Sequence, residues 1–204
     1  MSYEPLPDGE LATVVTYLEM HAPPAADRPQ STLRLRRVPD PEPTAYRALF
    51  RKVGAPWLWF SRLAMADDTL AAIVHHPDVA LFAVIDEEGG EVGLLELDFR
   101  ERGQCELAFV GLVPGLAGQG HGRWLLTEAV ARAWREGVRR VHVHTCTLDH
   151  PAALAAYRRA GFTAYKRAIE RFRDPRLLGI LPLDCAPQLP VVGTLASAAP
   201  SPDS

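Results

Sequence analysis

The sequence predicts an α+β fold: a single domain over residues 1–185, followed by a Pro/Ala/Ser-rich flexible tail over 186–204. Three observations predict it. Three strand-like stretches in the middle of the chain are joined by the hairpin-sized turns EEGG and ERG. A glycine-rich turn then leads into a helix whose apolar residues recur at helical spacing. A strand, an Ala-rich helix and a last strand complete the domain.

Taken in order, Leu11 to Met20 is β-branched enough for a strand, HAPPAADRPQ is a Pro-rich loop, and Leu33 to Val38 alternates as a strand does. Pro41 to Val53 suits a helix with Tyr46, Leu49 and Phe50 on one stripe and Gly54 as its stop. A second helix is expected over Asp67 to His76. Strands follow over Val79 to Asp86, Glu91 to Arg100 and Gln104 to Val113. The next helix runs to Glu136, with Trp124, Leu125, Ala129, Val130, Ala133 and Trp134 at helical spacing and Gly137 at the C′ position. Val141 to Thr147 is a strand, Pro151 to Ala160 a helix stopped by Gly161, and Phe162 to Phe172 the final strand. From Ala186 the composition can bury too little to order itself.

Composition narrows the function. The chain has 204 residues, 48% hydrophobic and 23% charged, so a packed core is expected rather than disorder. Its net charge of -3 offers no basic footprint for nucleic acid. Three cysteines do not make a disulfide framework and fit a reducing cytosol. No apolar run approaches a membrane span, and the acidic, Pro-bearing start MSYEPLPDGE is unlike a signal peptide. A cytoplasmic protein with no membrane partner is expected.

The stretch VPGLAGQGHGRWLL, from Val113 to Leu126, carries the chemistry. A strand runs into Gly118, Gly120 and Gly122, and a helix begins. Glycine lets backbone approach a ligand, and the N–H groups at a helix start suit a phosphate or pyrophosphate. The spacing fits neither a dinucleotide fingerprint, since Arg123 occupies the third glycine position, nor a P-loop. An ordinary tight turn is the alternative.

In its context this stretch resembles motif A of the GNAT superfamily of acyl-CoA N-acyltransferases, [QR]-x-x-G-x-[GA]. The pattern falls on Ala117-Gly118-Gln119-Gly120-His121-Gly122. Leu112-Val113-Pro114 looks like the strand and proline that precede it. Downstream, His150 to Phe162 is similar to the family's N-x-x-A-x-x-x-Y-x-x-x-G-F segment, with Ala153, Tyr157, Gly161 and Phe162 matching. The resemblance covers roughly residues 79–171. Two positions depart from it. Ala117 stands in place of Arg or Gln, and His150 in place of Asn. The first removes a side chain that would help hold pyrophosphate, leaving the backbone donors of Gln119 to Trp124, with Arg123 as a compensating cation.

The resemblance implies a GNAT-like fold: a mixed, mostly antiparallel sheet, splayed between the family's fourth and fifth strands and flanked by about four helices. Those strands are here Gln104 to Val113 and Val141 to Thr147. It implies acetyl-CoA as acyl donor, its pantetheine arm pairing with backbone near Val110, Leu112 and Val113. One N–H there would polarise the thioester carbonyl. Tyr157 would protonate the departing thiolate, its alternative being packing on the sheet.

An amine must lose a proton before it attacks, so a base is expected. Strand parity puts Glu96 and Asp98 on one face. Closing the ERG hairpin with Arg100 opposite Gln104 sets Asp98 against Glu106, and a two-residue slip sets Glu96 against it. Paired carboxylates would push one pKa up. Glu106 is the candidate base and Glu96 the second; solvated edge carboxylates are the other reading. His142, His144 and Cys146 share a strand face, but ligands that far apart along one strand diverge, so no metal is expected. Trp57 and Trp59, with Phe60, either shape an acceptor pocket together with Asp98 or simply pack. The predicted activity is acetyl transfer to a primary amine by direct attack in a ternary complex. A non-catalytic acyl-CoA-binding or partner-binding module is the alternative, and a homodimer is left open.

Overall fold

The computed structural model describes residues 3–25 and 29–195. Its elements are β1 (Glu10–Met20), β2 (Arg34–Arg37), α1 (Pro43–Gly54), α2 (Asp67–Val74), β3 (Val79–Ile85), β4 (Glu91–Asp98) and β5 (Gln104–Leu112). They continue as α3 (His121–Ala133), β6 (Arg140–Cys146), α4 (Ala153–Arg159) and β7 (Thr163–Arg173). Short 3-10 turns follow α1 at Ala55–Trp57 and β5 at Pro114–Leu116.

One seven-stranded sheet runs in the order β2-β3-β4-β5-β6-β1-β7. Every neighbouring pair is antiparallel except β5 and β6. The mixed, mostly antiparallel sheet with four α-helices among the described residues is the expected α+β architecture. The N-terminal strand does not stay beside β2. It inserts between β6 and β7, pairing with β7 along almost its whole length and with β6 from Val15 to Met20.

Alternation within the strands sorts the core into two layers. Leu95, Leu97, Cys105 and Leu107 pack against Trp124, Leu125, Ala129 and Val130 of α3 on one face. Leu94, Leu81 and Ala83 pack against Tyr46, Phe50 and Val53 of α1 and Leu70 of α2 on the other. A third cluster joins Leu58, Leu181 and Ala186 beside the turn after α1.

Two boundaries differ from expectation. Helix α3 ends at Ala133, not Glu136, because Trp134 turns to an extended conformation (φ -82°, ψ 93°) and its indole reaches Met20 Sδ at 3.4 Å. Gly137, at φ +86°, therefore serves the turn into β6 rather than the helix cap. At the other boundary, the segment expected to be a free tail from 186 starts inside the domain. Ala186 is buried, and Arg176 Nη1 donates to the carbonyls of Cys185, Ala186 and Leu189. Gly9 N also donates to Val192 O at 2.8 Å. The reason is a charge with no sequence periodicity to announce it: Arg176 is buried, held by Asp174, and needs carbonyls for its remaining donors. Residues 196–204 of that tail lie outside the described residues.

Candidate active site

The site is a fork in the sheet. Strands β5 and β6 pair in parallel only from Gln104↔Arg140 to Glu106↔His142, and then diverge. β6 stays on course because β1 holds its other edge from Met20↔Val141 to Val15↔Cys146. β5 bends away with β4. In their pairing Leu97 faces Leu107 but Glu96 faces Phe109, so Ala108 is an extra residue, a β-bulge of the kind that bends and twists a strand. The opening is part of a cleft of about 1490 Å³ that reaches from the α3/α4 side of the sheet to the α1 side.

Backbone groups line the fork. Val113 N donates to Val92 O at 2.9 Å, so by ladder alternation Gly111 and Phe109 also face β4. Val110 and Leu112 then direct their N–H and C=O toward the opening. Val113 itself has none to spare, since its carbonyl accepts from Leu116 N.

The glycine turn closes one end. Gly118 and Gly120 adopt φ +78° and +84°, a region that favours glycine. A Cβ at Gly118, Gly120 or Gly122 would meet nothing within 4 Å, so the turn is open above all three. Expected donors at Arg123 and Trp124 are instead spent within the chain on Gly120 O, which leaves Gly118 to Gly122. Ala117 and the Arg123 side chain border the cleft. The side chains of Gln119 and His121 turn elsewhere, to Gly115 O and to Ser31 Oγ respectively. His150 accepts from Ala152 N and sets its ring 5.0 Å from that of Trp57.

Tyr157 of α4 reaches the cleft from the same side. Burial, and then the charge of Asp149, push its phenol pKa up. Its hydroxyl has no protein partner among the described residues, while its ring stacks edge-on against Phe162 at 5.8 Å. Asp149 was not among the expected site residues. It accepts from Thr145 Oγ1, Cys146 N and Trp59 Nε1, tying the end of β6 to the turn after α1. Its place immediately after a strand, four residues from Thr145, is the signal that could have revealed it.

On the α1 side, Trp57, Trp59, Phe60, Arg62, Asp98 and Glu106 border the cleft. Trp59 lies flat enough on Gly111 that a Cβ there would come within 2.9 Å of its ring. Asp98 does face Glu106 across the hairpin, as one of the two registers expected. The expected rise in a carboxylate pKa does not follow, because each has its own hydrogen-bonding partner, Arg100 for Asp98 and His144 for Glu106. Burial works against ionised Asp98, but hydrogen bonds from Arg100 outweigh it and hold the pKa down. His144 Nδ1 lies 3.2 Å from Glu106 Oε1, and that bond lowers Glu106 and raises His144.

Glu96 is placed differently. It is fully buried beneath the cleft, with Oε2 accepting from Tyr46 Oη at 2.5 Å and Oε1 from Arg62 Nη2 at 2.6 Å. Burial and the neighbouring carboxylate together raise the Tyr46 phenol. Burial opposes the Arg62 charge, yet Glu96 more than restores it. Arg62 also lies 5.1 Å from the centre of the Phe109 ring. No local pattern marks Arg62 in the sequence. Among the described residues no group of three His, Cys, Asp or Glu is arranged to hold a metal.

Residues 44–162 match the family model described as Acetyltransferase (GNAT) family. The chain belongs to the GNAT acetyltransferase family. Solved structures agree on the GNAT fold. A GCN5-related N-acetyltransferase from Sphaerobacter thermophilus is 20% identical with TM-score 0.56, over 84% of this chain and 53% of its own. A putative GNAT acetyltransferase from Novosphingobium aromaticivorans is 15% identical with TM-score 0.54, over 81% and 68%. An aminoglycoside acetyltransferase from an uncultured soil metagenomic sample, in complex with trehalose, is 20% identical with TM-score 0.53, over 68% and 93%. This chain spans about half the length of the Sphaerobacter protein. No curated protein matches it in sequence. Among the described residues no helix is long and apolar enough to cross a membrane.

Proposed function

We propose that this GNAT protein transfers an acetyl group from acetyl-CoA to a primary amine by direct attack within a ternary complex. The observation that carries the reading is the fork, which opens one continuous cleft to both faces of the sheet. A donor and an acceptor can then meet from opposite sides.

The open backbone at Gly118 to Gly122 suits the CoA pyrophosphate, and Val110 and Leu112 offer strand-like partners to the pantetheine amides. An N–H at this edge is suited to polarise the thioester carbonyl. Attack by nitrogen forms the C–N bond, and collapse of the adduct breaks C–S and expels thiolate. Tyr157, whose phenol keeps its proton, supplies one to that sulfur. The ammonium must shed its proton first, since its pKa is about 10.4. Collection of that proton falls to the Glu106–His144 pair. Glu96, with both oxygens engaged by Tyr46 and Arg62, holds the floor instead. Trp57, Trp59 and Asp98 on the α1 side favour a cationic acceptor with an apolar part.

The test is calorimetric titration with acetyl-CoA, with dephospho-CoA and NADH as controls, followed by thiol release with a panel of primary amines. Selective binding and amine-dependent release are expected. Binding without release from any amine would favour the non-catalytic module, the reading to which Ala117 lends weight by removing a side chain from the pyrophosphate turn.

A further inference from the structure

The reading above leaves open which atom of the Glu106–His144 pair takes the proton. The two side chains bridge the fork at its base. Glu106 is the last β5 residue paired to β6, and His144 lies on β6 two residues beyond the last paired position, His142. Their separation is 3.2 Å at Nδ1, and Nε2 has no protein partner among the described residues. The imidazole is half-exposed and forms part of the cleft wall. We propose that His144 Nε2 accepts the proton from the acceptor ammonium, while Glu106 acts as a positioning residue that holds the Nδ1–H tautomer. The proposal rests on the amine-acetylation reading.

Several features support this division. A carboxylate that accepts from imidazole Nδ1–H fixes both the tautomer and the ring plane, and so leaves Nε2 as the free acceptor. The ring is further confined by Tyr17 of β1, whose centroid is 5.9 Å away. The charged groups facing it come from every neighbouring element: Glu106 on β5, Asp149 after β6 and Glu170 on β7 favour its protonated form, while His142 is the near group on its own strand. Lys166 of β7 is spent over the Tyr17 ring at 5.0 Å. Three carboxylates around one imidazole stabilise the imidazolium formed when the proton arrives. Glu106 is poorly matched to the task alone, because the same bond that raises His144 lowers it. A base works best near the operating pH.

The proton account closes. The ammonium N–H breaks, Nε2–H forms, and the free amine attacks the thioester carbon. Tyr157 protonates the thiolate, and the imidazolium and phenolate return to neutrality through solvent.

The experiment compares kcat/KM for thiol release from acetyl-CoA across about pH 5.5 to 9, with 2-phenylethylamine and spermidine as probe acceptors, in the parent protein, His144→Gln and Glu106→Gln. The amine's own ionisation is common to all three, so the differences belong to the protein. His144→Gln is expected to lower kcat/KM by about 10²-fold or more and to abolish the protein's acid limb, with acetyl-CoA affinity unchanged. Glu106→Gln is expected to keep the limb but move it to lower pH. The reverse pattern, with the limb lost in Glu106→Gln and merely moved in His144→Gln, overturns the proposal. A parent protein that binds acetyl-CoA yet releases no thiol with these or any other amine of the panel removes the acetylation reading and the assignment with it. A measurement independent of turnover completes the test: the ¹⁵N shifts of His144 should report an Nδ1–H tautomer, and an Nε2–H tautomer would overturn the assignment.

Discussion

The indole Nε1 of Trp59 donates to Asp149 Oδ1 across 3.0 Å, joining residues 90 positions apart on opposite walls of the cleft. The other Asp149 oxygen holds Thr145 and Cys146 at the end of β6. One carboxylate therefore fixes the width of the fork and contributes to the field at Tyr157. In Asp149→Asn the amide nitrogen cannot accept, so at least one of these bonds is lost. A loss of about 1–3 kcal/mol in urea denaturation is expected. The Tyr157 phenol should also titrate lower than in the parent, as read from phenolate absorbance against an Asp149→Asn/Tyr157→Phe control. An unchanged titration would assign the shift to burial alone.

Tyr157 itself separates chemistry from packing. Its ring contact with Phe162 survives in Tyr157→Phe, while the hydroxyl, which bonds to no described residue, is lost. Turnover should fall by about 10²-fold with acetyl-CoA affinity within about a factor of two. A large loss of affinity instead would make the tyrosine a binding residue.

Asp174 and Arg176 make a buried pair, 2.7 Å at its shortest, whose guanidinium also clasps the carbonyls of Cys185, Ala186 and Leu189. Removing one partner leaves an uncompensated charge, so Asp174→Ala should cost about 3–5 kcal/mol in chemical denaturation. Truncation after Asp184 should also destabilise the domain, since it strips Ala186 and Leu189 from their cluster.

How much of this was legible in the residues depended on range. Hairpins were, because EEGG and ERG are local and the closure of the second one fixes Asp98 against Glu106. The fork's location was legible only through resemblance, and the glycine turn through both resemblance and its own chemistry. The insertion of β1 between β6 and β7 was not, because period-two alternation says which face a residue takes but not which strand will pair with it. The bulge at Ala108 was equally silent, and with it the pairing of Glu96 with Phe109 rather than Ala108. Arg62, Asp149 and Arg176 escaped for one shared reason. Each is a lone polar residue whose role depends on partners brought near by the fold.

The Glu106–His144 pair predicts a pH window for stability. His144 is raised above 6.5 in the fold, so its contribution is full below that value and fades as pH rises through the folded pKa. Glu106 is lowered below 4.5, so its contribution is full above that value and fades as pH falls through the folded pKa. The pair therefore stabilises most between those two values. Both groups are partly exposed, which limits the effect to under about 1 kcal/mol. The urea-denaturation gap between the parent and His144→Gln should be larger at about pH 5.5 than at about pH 9. An equal gap at both would mean that the ring packs rather than pairs.

Gly122 offers the sharpest separation of fold from ligand. Gly120, at φ +84°, is glycine for its backbone, and Gly120→Ala should cost about 1–2 kcal/mol. Gly122 has no such need. It lies within α3, it has no positive φ, and a Cβ there would meet nothing within 4 Å. Helix propensity alone makes Gly122→Ala neutral to about 1 kcal/mol more stable. If the pyrophosphate of acetyl-CoA rests against this backbone, the same methyl group stands where the ligand must approach. The expected result is a melting temperature unchanged or raised, together with an acetyl-CoA affinity at least about tenfold weaker by calorimetry, a cost of about 1.4 kcal/mol in binding. Unchanged affinity would mean that the anion sits over Gly118 and Gly120 alone, and that Gly122 is not part of the cradle.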